Sequence, residues 1–337
     1  MKRSWGKMVA VLALCILVVT SLAGCGSKTA ADTGAKSVAS DYPNKPIQLI
    51  LIHKAGSSTD IIARTLQPYL AKELGVQVVV QNVTGGGGTQ AMSQLSKGKP
   101  DGYTLLMTPF PSATLKQVLS PDVDFDIKNF SYIAGVSAGD NNVIAVTADS
   151  PIKTFADFVT AAKTKNLKVA GSGVATNGQF AAALLQDKGN IKFTYVPFEG
   201  GPDALNAVLG NHVDATVADI VGTIPLVTAG KLRLLAVTGT QRDRRFKDVP
   251  TVAECGLPAV AFDVKVGIMA PPGMPAELSK KLSDAITKVV ANPEFVTAGD
   301  NVGFTAAYNS GDDVKTTSLK LLDMVTKEKA ALTAMAK

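Results

Sequence analysis

Metal-binding and redox side chains are scarce in this chain: its 337 residues hold two histidines, three cysteines and one tryptophan. His53 and His212 are isolated, and no histidine–cysteine set has the spacing of a metal site, so neither metal nor other cofactor is expected. Cys15 and Cys25 both lie near the N-terminus, which leaves Cys255 without an internal disulfide partner and reading as a small buried hydrophobe. The single tryptophan, Trp5, is N-terminal too. No basic cluster interleaved with aromatics is present, which excludes a nucleic-acid surface. The chain also has no glycine-rich loop followed by Lys-Ser/Thr and no G-x-G-x-x-G opening a helix, so a nucleotide is not expected. A membrane-spanning run is missing as well. The longest apolar stretch, residues 8–23, is about 16 residues against the roughly 20 that a span needs.

That short stretch has another use. Lys2, Arg3 and Lys7 precede it, and "LAGC" (22–25) closes it in the form of a bacterial lipobox. Residues 1–24 are therefore expected to be a lipoprotein signal peptide, with Cys25 the lipid-modified first residue anchored in the bilayer. Removing the signal lowers the basic count from 34 to 31 against 28 acidic residues, a balance of +3. Residues 25–41 are small, polar and unpatterned, a flexible tether. The body is then extracytoplasmic and lipid-anchored to the cell membrane.

From residue 46 onward, short apolar runs alternate with helical patterns. "IQLILI" (47–52) reads as a buried strand, and Ile62, Leu66 and Leu70 mark a helix over 60–74 that Pro68 should kink. "VQVVVQ" (76–81) and "YTLLM" (103–107) continue the βαβ grammar of a mostly parallel sheet. After Asn142 the grammar repeats with "NVIAVT", "LKVAG", "FTYVPF", "VDATVA" and "LRLLAVT", and "TFAD" (154–157) has the form of a capping box. Helices return near 276–291 and 312–334. The fold class is α/β with two lobes, residues 42–141 plus 239–337 forming a discontinuous first lobe and 142–238 the second.

Three strand-to-helix loops share one chemistry. "AGSSTD" (55–60) offers a glycine, hydroxyls and Asp60 as a candidate N-cap. "TGGGGTQ" (84–90) follows the second strand, and "GSGVATNGQ" (171–179) serves the second lobe. Helix N-termini carry unpaired N–H groups and a positive dipole end, so several of them converging would receive an anion without any fixed positive side chain. Four successive glycines exceed what a tight turn needs, and flanking strand and helix patterns argue against a linker. Close approach of backbone to a ligand accounts for them best.

These motifs, in order, resemble the solute-binding receptors of tripartite tricarboxylate transporters, the Bug family. Its opening "YPxKPI" is matched at 42–47, its "LGxxVVVENxxGAGG" by "LGVQVVVQNVTGGGG" (74–88), and "PDGYTLL" stands at 100–106. "GKLRLLAVTGTQR", "DVPTVAECGLP" and "GIMAPPGMP" match later blocks, so the likeness spans nearly all of 42–335. It implies a type II, Venus-flytrap periplasmic-binding-protein fold that closes over a small organic carboxylate and presents it to membrane transporter subunits. It further implies a binding protein rather than an enzyme, acting as a monomer. Carried over position by position, the ligand-binding residues are Ala55, Gly56, Ser57, Ser58, Thr59 and Asp60, then Gly86, Gly87, Gly88 and Thr89. From the second lobe come Ser172, Gly173, Thr176, Asn177, Phe198 and Gly200.

The chain departs from the family at "IHKAGSSTD" (52–60), where Ser57 and Ser58 replace glycines and Lys54 replaces a small residue. Lys54 either attracts a second acid group or points to solvent, and Glu199 stands where many relatives carry a base. Asp219, at the end of a strand facing the cleft, either accepts from the ligand or a water, or caps the next helix. Arg64 is an i,i+4 partner for Asp60. His53 and His212 read as structural. Two other functions remain open from the sequence: a sensor accessory binding the same ligand, and an exported enzyme using Ser57 or Ser58 beside His53.

Overall fold

A computed structural model describes residues 41–120, 122–327, 329 and 333. The expected signal peptide, Cys25 and all of the tether before residue 41 lie outside them. Among the described residues no helix is long and apolar enough to cross a membrane.

The first sheet grows around β1 (Ile47–Leu51), whose apolar run is buried on both faces. Helix α1 (Ser58–Leu74) follows and buries Ile62, Leu66 and Leu70, with Pro68 inside it. Next come β2 (Val78–Asn82), α2 (Thr89–Ser96), β3 (Thr104–Pro109), α3 (Phe110–Leu119) and β4 (Ser131–Ala138). Strands β2 and β3 flank β1 in parallel, with Leu49 opposite both Val80 and Leu105.

The chain then enters a second sheet through β5 (Asn142–Thr147), α4 (Phe155–Thr164), β6 (Leu167–Gly171), α5 (Asn177–Gly189) and β7 (Phe193–Pro197). It continues with α6 (Gly201–Leu209), β8 (Ala215–Asp219), α7 (Ile220–Thr228) and β9 (Leu232–Val237). The expected capping box forms at α4: Thr154 accepts from the Asp157 backbone N–H, and Asp157 accepts in return. Phe158 is fully buried between Phe155 and Phe193, with ring centroids 6.0 Å away on either side.

The return path supplies β10 (Lys265–Ala270), α8 (Ala276–Ala291), α9 (Pro293–Val302), β11 (Thr305–Ser310) and α10 (Gly311–Lys327). Strand order is β11-β4-β10-β3-β1-β2 in the first sheet and β7-β6-β8-β5-β9 in the second. Both sheets are mixed. Each keeps a parallel trio, β2-β1-β3 or β7-β6-β8, and inserts one antiparallel strand, β10 or β5, beside it.

Two connections link the sheets, the first between Ala138 and Asn142. The second leaves β9 at Val237 but stays with the second sheet well past residue 239. Val237 bridges Thr251, and Val252 and Val260 sit in the second core with Cys255 packed against it. The chain rejoins the first sheet only at β10. Asn141 and Thr238 tie the two connections together: Thr238 Oγ1 accepts from Asn142 N at 3.1 Å, and Asn141 Oδ1 accepts from Val264 N at 2.8 Å.

Candidate functional site

The loop after β1 is organised by its polar side chains. Ser57, not Asp60, is the N-cap of α1, its Oγ accepting from Asp60 N at 3.3 Å. Asp60 sits in the first turn because its carboxylate has other partners. It accepts from Gly56 N, from Arg64 Nε and from Asn82 Nδ2, each at 3.0 Å. Burial would lift this carboxyl, but the bonds from Arg64, Gly56 and Asn82 prevail and hold it below the ordinary range. His53 meets Thr59 Oγ1 at 3.1 Å. Burial, with a smaller push from the Lys116 charge, lowers it to about 3, so the ring is neutral.

The glycine run Gly85–Gly88 is a 3₁₀ turn with three residues in left-handed backbone: φ is 62° at Gly86, 65° at Gly87 and 102° at Gly88. Each would cost an L side chain about 1–2 kcal/mol. A Cβ on Gly88 would also stand 2.8 Å from Ile52 Cβ. Handedness and packing against the protein itself thus account for the glycines, alongside their exposure to a cavity.

In the second sheet, Thr176 caps α5, accepting from Gln179 N at 3.2 Å. Asn177 binds across to α3, where Ser112 Oγ donates to its Oδ1 at 2.8 Å. Asp219 occupies the N-cap position of α7, yet its side chain makes no cap there. Its Oδ1 instead accepts from Asn142 and Asn177, each at 3.0 Å, and Ser58 also bonds to it. Burial raises this carboxyl against those three donors. Lys54 lies at the cavity with a third of its side chain exposed. It forms a salt bridge with Asp203 in the first turn of α6, and its stem packs on Gly200.

A cavity of about 610 Å³ opens between the β1 and β2 loops on one side and the β6 and β7 loops on the other. Of the sequence-derived residues, Gly86, Gly87, Thr89, Ser172, Gly173, Thr176 and Phe198 line it. Gly56, Ser57, Ser58 and Asp219 line a separate, smaller cavity of about 260 Å³. Ala55 is exposed and lines neither, while Thr59, Asp60, Gly88, Asn177 and Gly200 stand behind the walls. His53, Lys54, Thr84 and Glu199 line the larger cavity as well, and Ile52, Leu119, Ser120, Val174 and Pro197 complete it without having been singled out from the sequence.

The sequence gives no hint of Lys116. Every residue from 110 to 116 is buried, lysine included, so the helix has no wet face there on which to place it. A lone lysine in an amphipathic segment normally marks such a face. Lys116 is a positive side chain close to the cavity wall at Gly87 that the sequence reading did not include.

The arrangement can receive an anion through backbone at the glycine run and the Ser172 hydroxyl, since Thr89 and Thr176 already donate to the Gly86 and Gly173 carbonyls. A serine nucleophile next to His53 is not formed. Ser57 caps α1, Ser58 bonds Asp219, and His53 meets Thr59. Among the described residues no cluster of three metal-ligating side chains occurs.

The sequence profile of the tripartite tricarboxylate transporter family receptors matches residues 62–335. A protein from the gbd 5′ region of Cupriavidus necator is 35% identical over 77% of this chain and 79% of its own length. A TctC solute-binding protein from Polaromonas, solved without ligand, is 28% identical with a TM-score of 0.67, covering 85% of this chain and 98% of that one. An R. palustris protein solved with adipate shares the fold at 22% identity, with a TM-score of 0.80 over 87% of this chain and 98% of that one.

Proposed function

The chain belongs to the tripartite tricarboxylate transporter receptor family, and on that premise we propose that it captures a small organic carboxylate and hands it to membrane subunits of a transporter. The observation that carries this reading is the shared cavity of about 610 Å³. One wall comes from Gly86, Gly87 and Thr89, and the facing wall from Ser172, Gly173, Thr176 and Phe198. A volume of that size is ordinary for a small-molecule site, roughly 300–1,000 Å³. Glycines leave backbone uncovered along one side and Ser172 brings a hydroxyl on the other, while the Thr89 and Thr176 hydroxyls already donate to the Gly86 and Gly173 carbonyls. Such a surface gives an oxyanion hydrogen bonds and gives a neutral hydrocarbon little.

The two sheets act as lobes, and the crossings near Asn141 and Val264 act as the hinge. A ligand that touches both walls favours the closed arrangement by its differential affinity for it. Cys25, lipid-modified, holds the body at the outer face of the membrane as a monomer. Capture without turnover is the activity.

Calorimetric titration with a panel of di- and tricarboxylates, aromatic acids and amino acids tests the reading. Saturable binding of one acid is expected. A ligand at 100-fold above its Kd should add about 2.7 kcal/mol of thermal stability. Failure of every carboxylate to bind would overturn the proposal.

A further inference from the structure

Beneath the floor of the larger cavity lies a cation that carboxylate capture by hydroxyls and backbone leaves without a task. Lys116 stands on α3 with 1% of its surface exposed. Its Nζ donates to the carbonyl oxygens of Val174 at 3.4 Å and Ala175 at 3.3 Å, both long contacts for an ammonium. Among the described residues no carboxylate forms a salt bridge with it. The nearby acids are engaged elsewhere: Asp203 with Lys54, Asp60 with Arg64, and Asp219 with Asn142 and Asn177. Glu199, exposed, and Lys54, held by Asp203, both line the cavity wall.

Two residues that line the cavity stand beside the ammonium. One is Val174, whose carbonyl it meets. The other is Gly87, where a Cβ would stand 3.7 Å from Nζ. Because Gly87 has no side chain, nothing bulkier than backbone lies over the charge on that side. The facing loop is shaped to the same end. Gly173 has φ of 128° and Ala175 a left-handed φ of 53°, an unusual choice for alanine. In that conformation two successive carbonyls are presented to Lys116. Val174 itself, an apolar residue 51% exposed on the cavity rim, is available for a ligand to cover.

A buried ammonium without a counter-ion is costly, and removing the cost requires either a lost proton or an arriving anion. Burial already pushes Lys116 down to about 8. The ammonium itself meets carbonyls and no carboxylate.

Building on the carboxylate reading, we propose that Lys116 is the specificity-determining cation of this cleft, answering a ligand carboxylate seated against Gly87 and Val174. The ligand end at that floor must then carry full negative charge. An acid is accepted there and its isosteric amide is rejected. Lys116 also couples recognition to closure, since the carbonyls it holds belong to the facing lobe.

The test is calorimetric titration of the full-length wild-type protein and of Lys116→Gln with malate, adipate and benzoate, each beside the amide that replaces one carboxyl. Glutamine keeps N–H donors for the Val174 and Ala175 carbonyls but removes the charge. The wild type should prefer the acid by about 10- to 100-fold, the equivalent of one charged hydrogen bond. In Lys116→Gln that ratio should fall to near unity while amide affinity is retained, an outcome that a merely structural lysine would not produce. A wild-type ratio preserved in the variant overturns this inference and leaves the receptor reading standing. Absence of wild-type binding to every acid overturns both. Should Lys116→Gln fail to fold, Lys116→Met and the wild-type acid-to-amide ratio decide, a ratio near unity in the wild type being fatal.

Discussion

Ser112 and Asn177 form a buried bridge between helices of different sheets, the serine hydroxyl donating to Asn177 Oδ1 at 2.8 Å. The same amide donates to Asn142 Oδ1 at 2.9 Å and Asp219 Oδ1 at 3.0 Å. Asn177→Ala deprives all three neighbours at once. A buried polar group left unpaired costs about 1–3 kcal/mol, so the urea midpoint should fall by an amount of that order. Ligand affinity should fall with it, because the bridge joins the two walls of the cleft. Lowered stability with unchanged affinity would confine the bridge to folding.

Gly87 and Gly88 separate two reasons for a glycine. Gly87→Ala meets only Lys116 Nζ, at 3.7 Å, so its cost is the left-handed φ, about 1–2 kcal/mol. Gly88→Ala adds a Cβ 2.8 Å from Ile52, an overpacking of about 1–3 kcal/mol more. Thermal midpoints should rank wild type, Gly87→Ala, then Gly88→Ala, in descending order. A reversed order would contradict the packing account.

Phe158 is fully buried beside Phe155 and Phe193 in the second sheet's core. Phe158→Ala should cost about 3–5 kcal/mol in equilibrium unfolding. A loss below about 1 kcal/mol would mean that the core around α4 collapses onto the gap.

These cases also mark what was legible from residues alone. Runs such as "IQLIL" and "NVIAVT" announce themselves because strands covered on both faces need unbroken apolar sequence. Strand β11, "TAAYNS", has no such run because it is an edge strand without a fully buried residue. Strand β10 is inserted from far along the chain, a pairing that no local pattern encodes. At the cavity, the four-glycine run drew notice as backbone open to a ligand, and the structure adds a left-handed φ at Gly86 and Gly87 that restricts the choice of residue. Lys116 was not readable, since its role comes from a helix that tertiary packing buries all round. Ser57 displaced Asp60 as cap because Arg64 and Asn82 claim the aspartate.

Two groups with displaced acidities set opposing pH slopes. His53 falls from 6.5 to about 3 through burial and the Lys116 charge. The unfolded chain therefore binds that proton more readily, so the contribution is full above about pH 6.5 and is lost as pH falls toward 3. Burial lifts Asp140 from 3.8 to about 7, against the Ser137 hydrogen bond and the Arg245 charge. Here the folded form holds the proton, so the contribution is full below about pH 4 and gone above about pH 7. Asp140→Asn should leave the protein more stable than wild type at pH 8, by about 1.4 kcal/mol for each tenfold loss of acidity that burial imposes on the carboxyl. Its stability should also climb more steeply between about pH 4 and 6.5, where Asp140 no longer opposes His53. A uniform offset at every pH would contradict this assignment.

The most direct measurement is a crystal structure of the protein grown with the tightest-binding acid of the titration panel. The account predicts a carboxylate in the cavity of about 610 Å³, within hydrogen-bond reach of the loop at Gly86 and Gly87 and of the facing loop at Ser172 and Thr176. An acid seated instead in the smaller cavity beside Gly56 and Asp219, or bound to one wall with the other turned away, would contradict it.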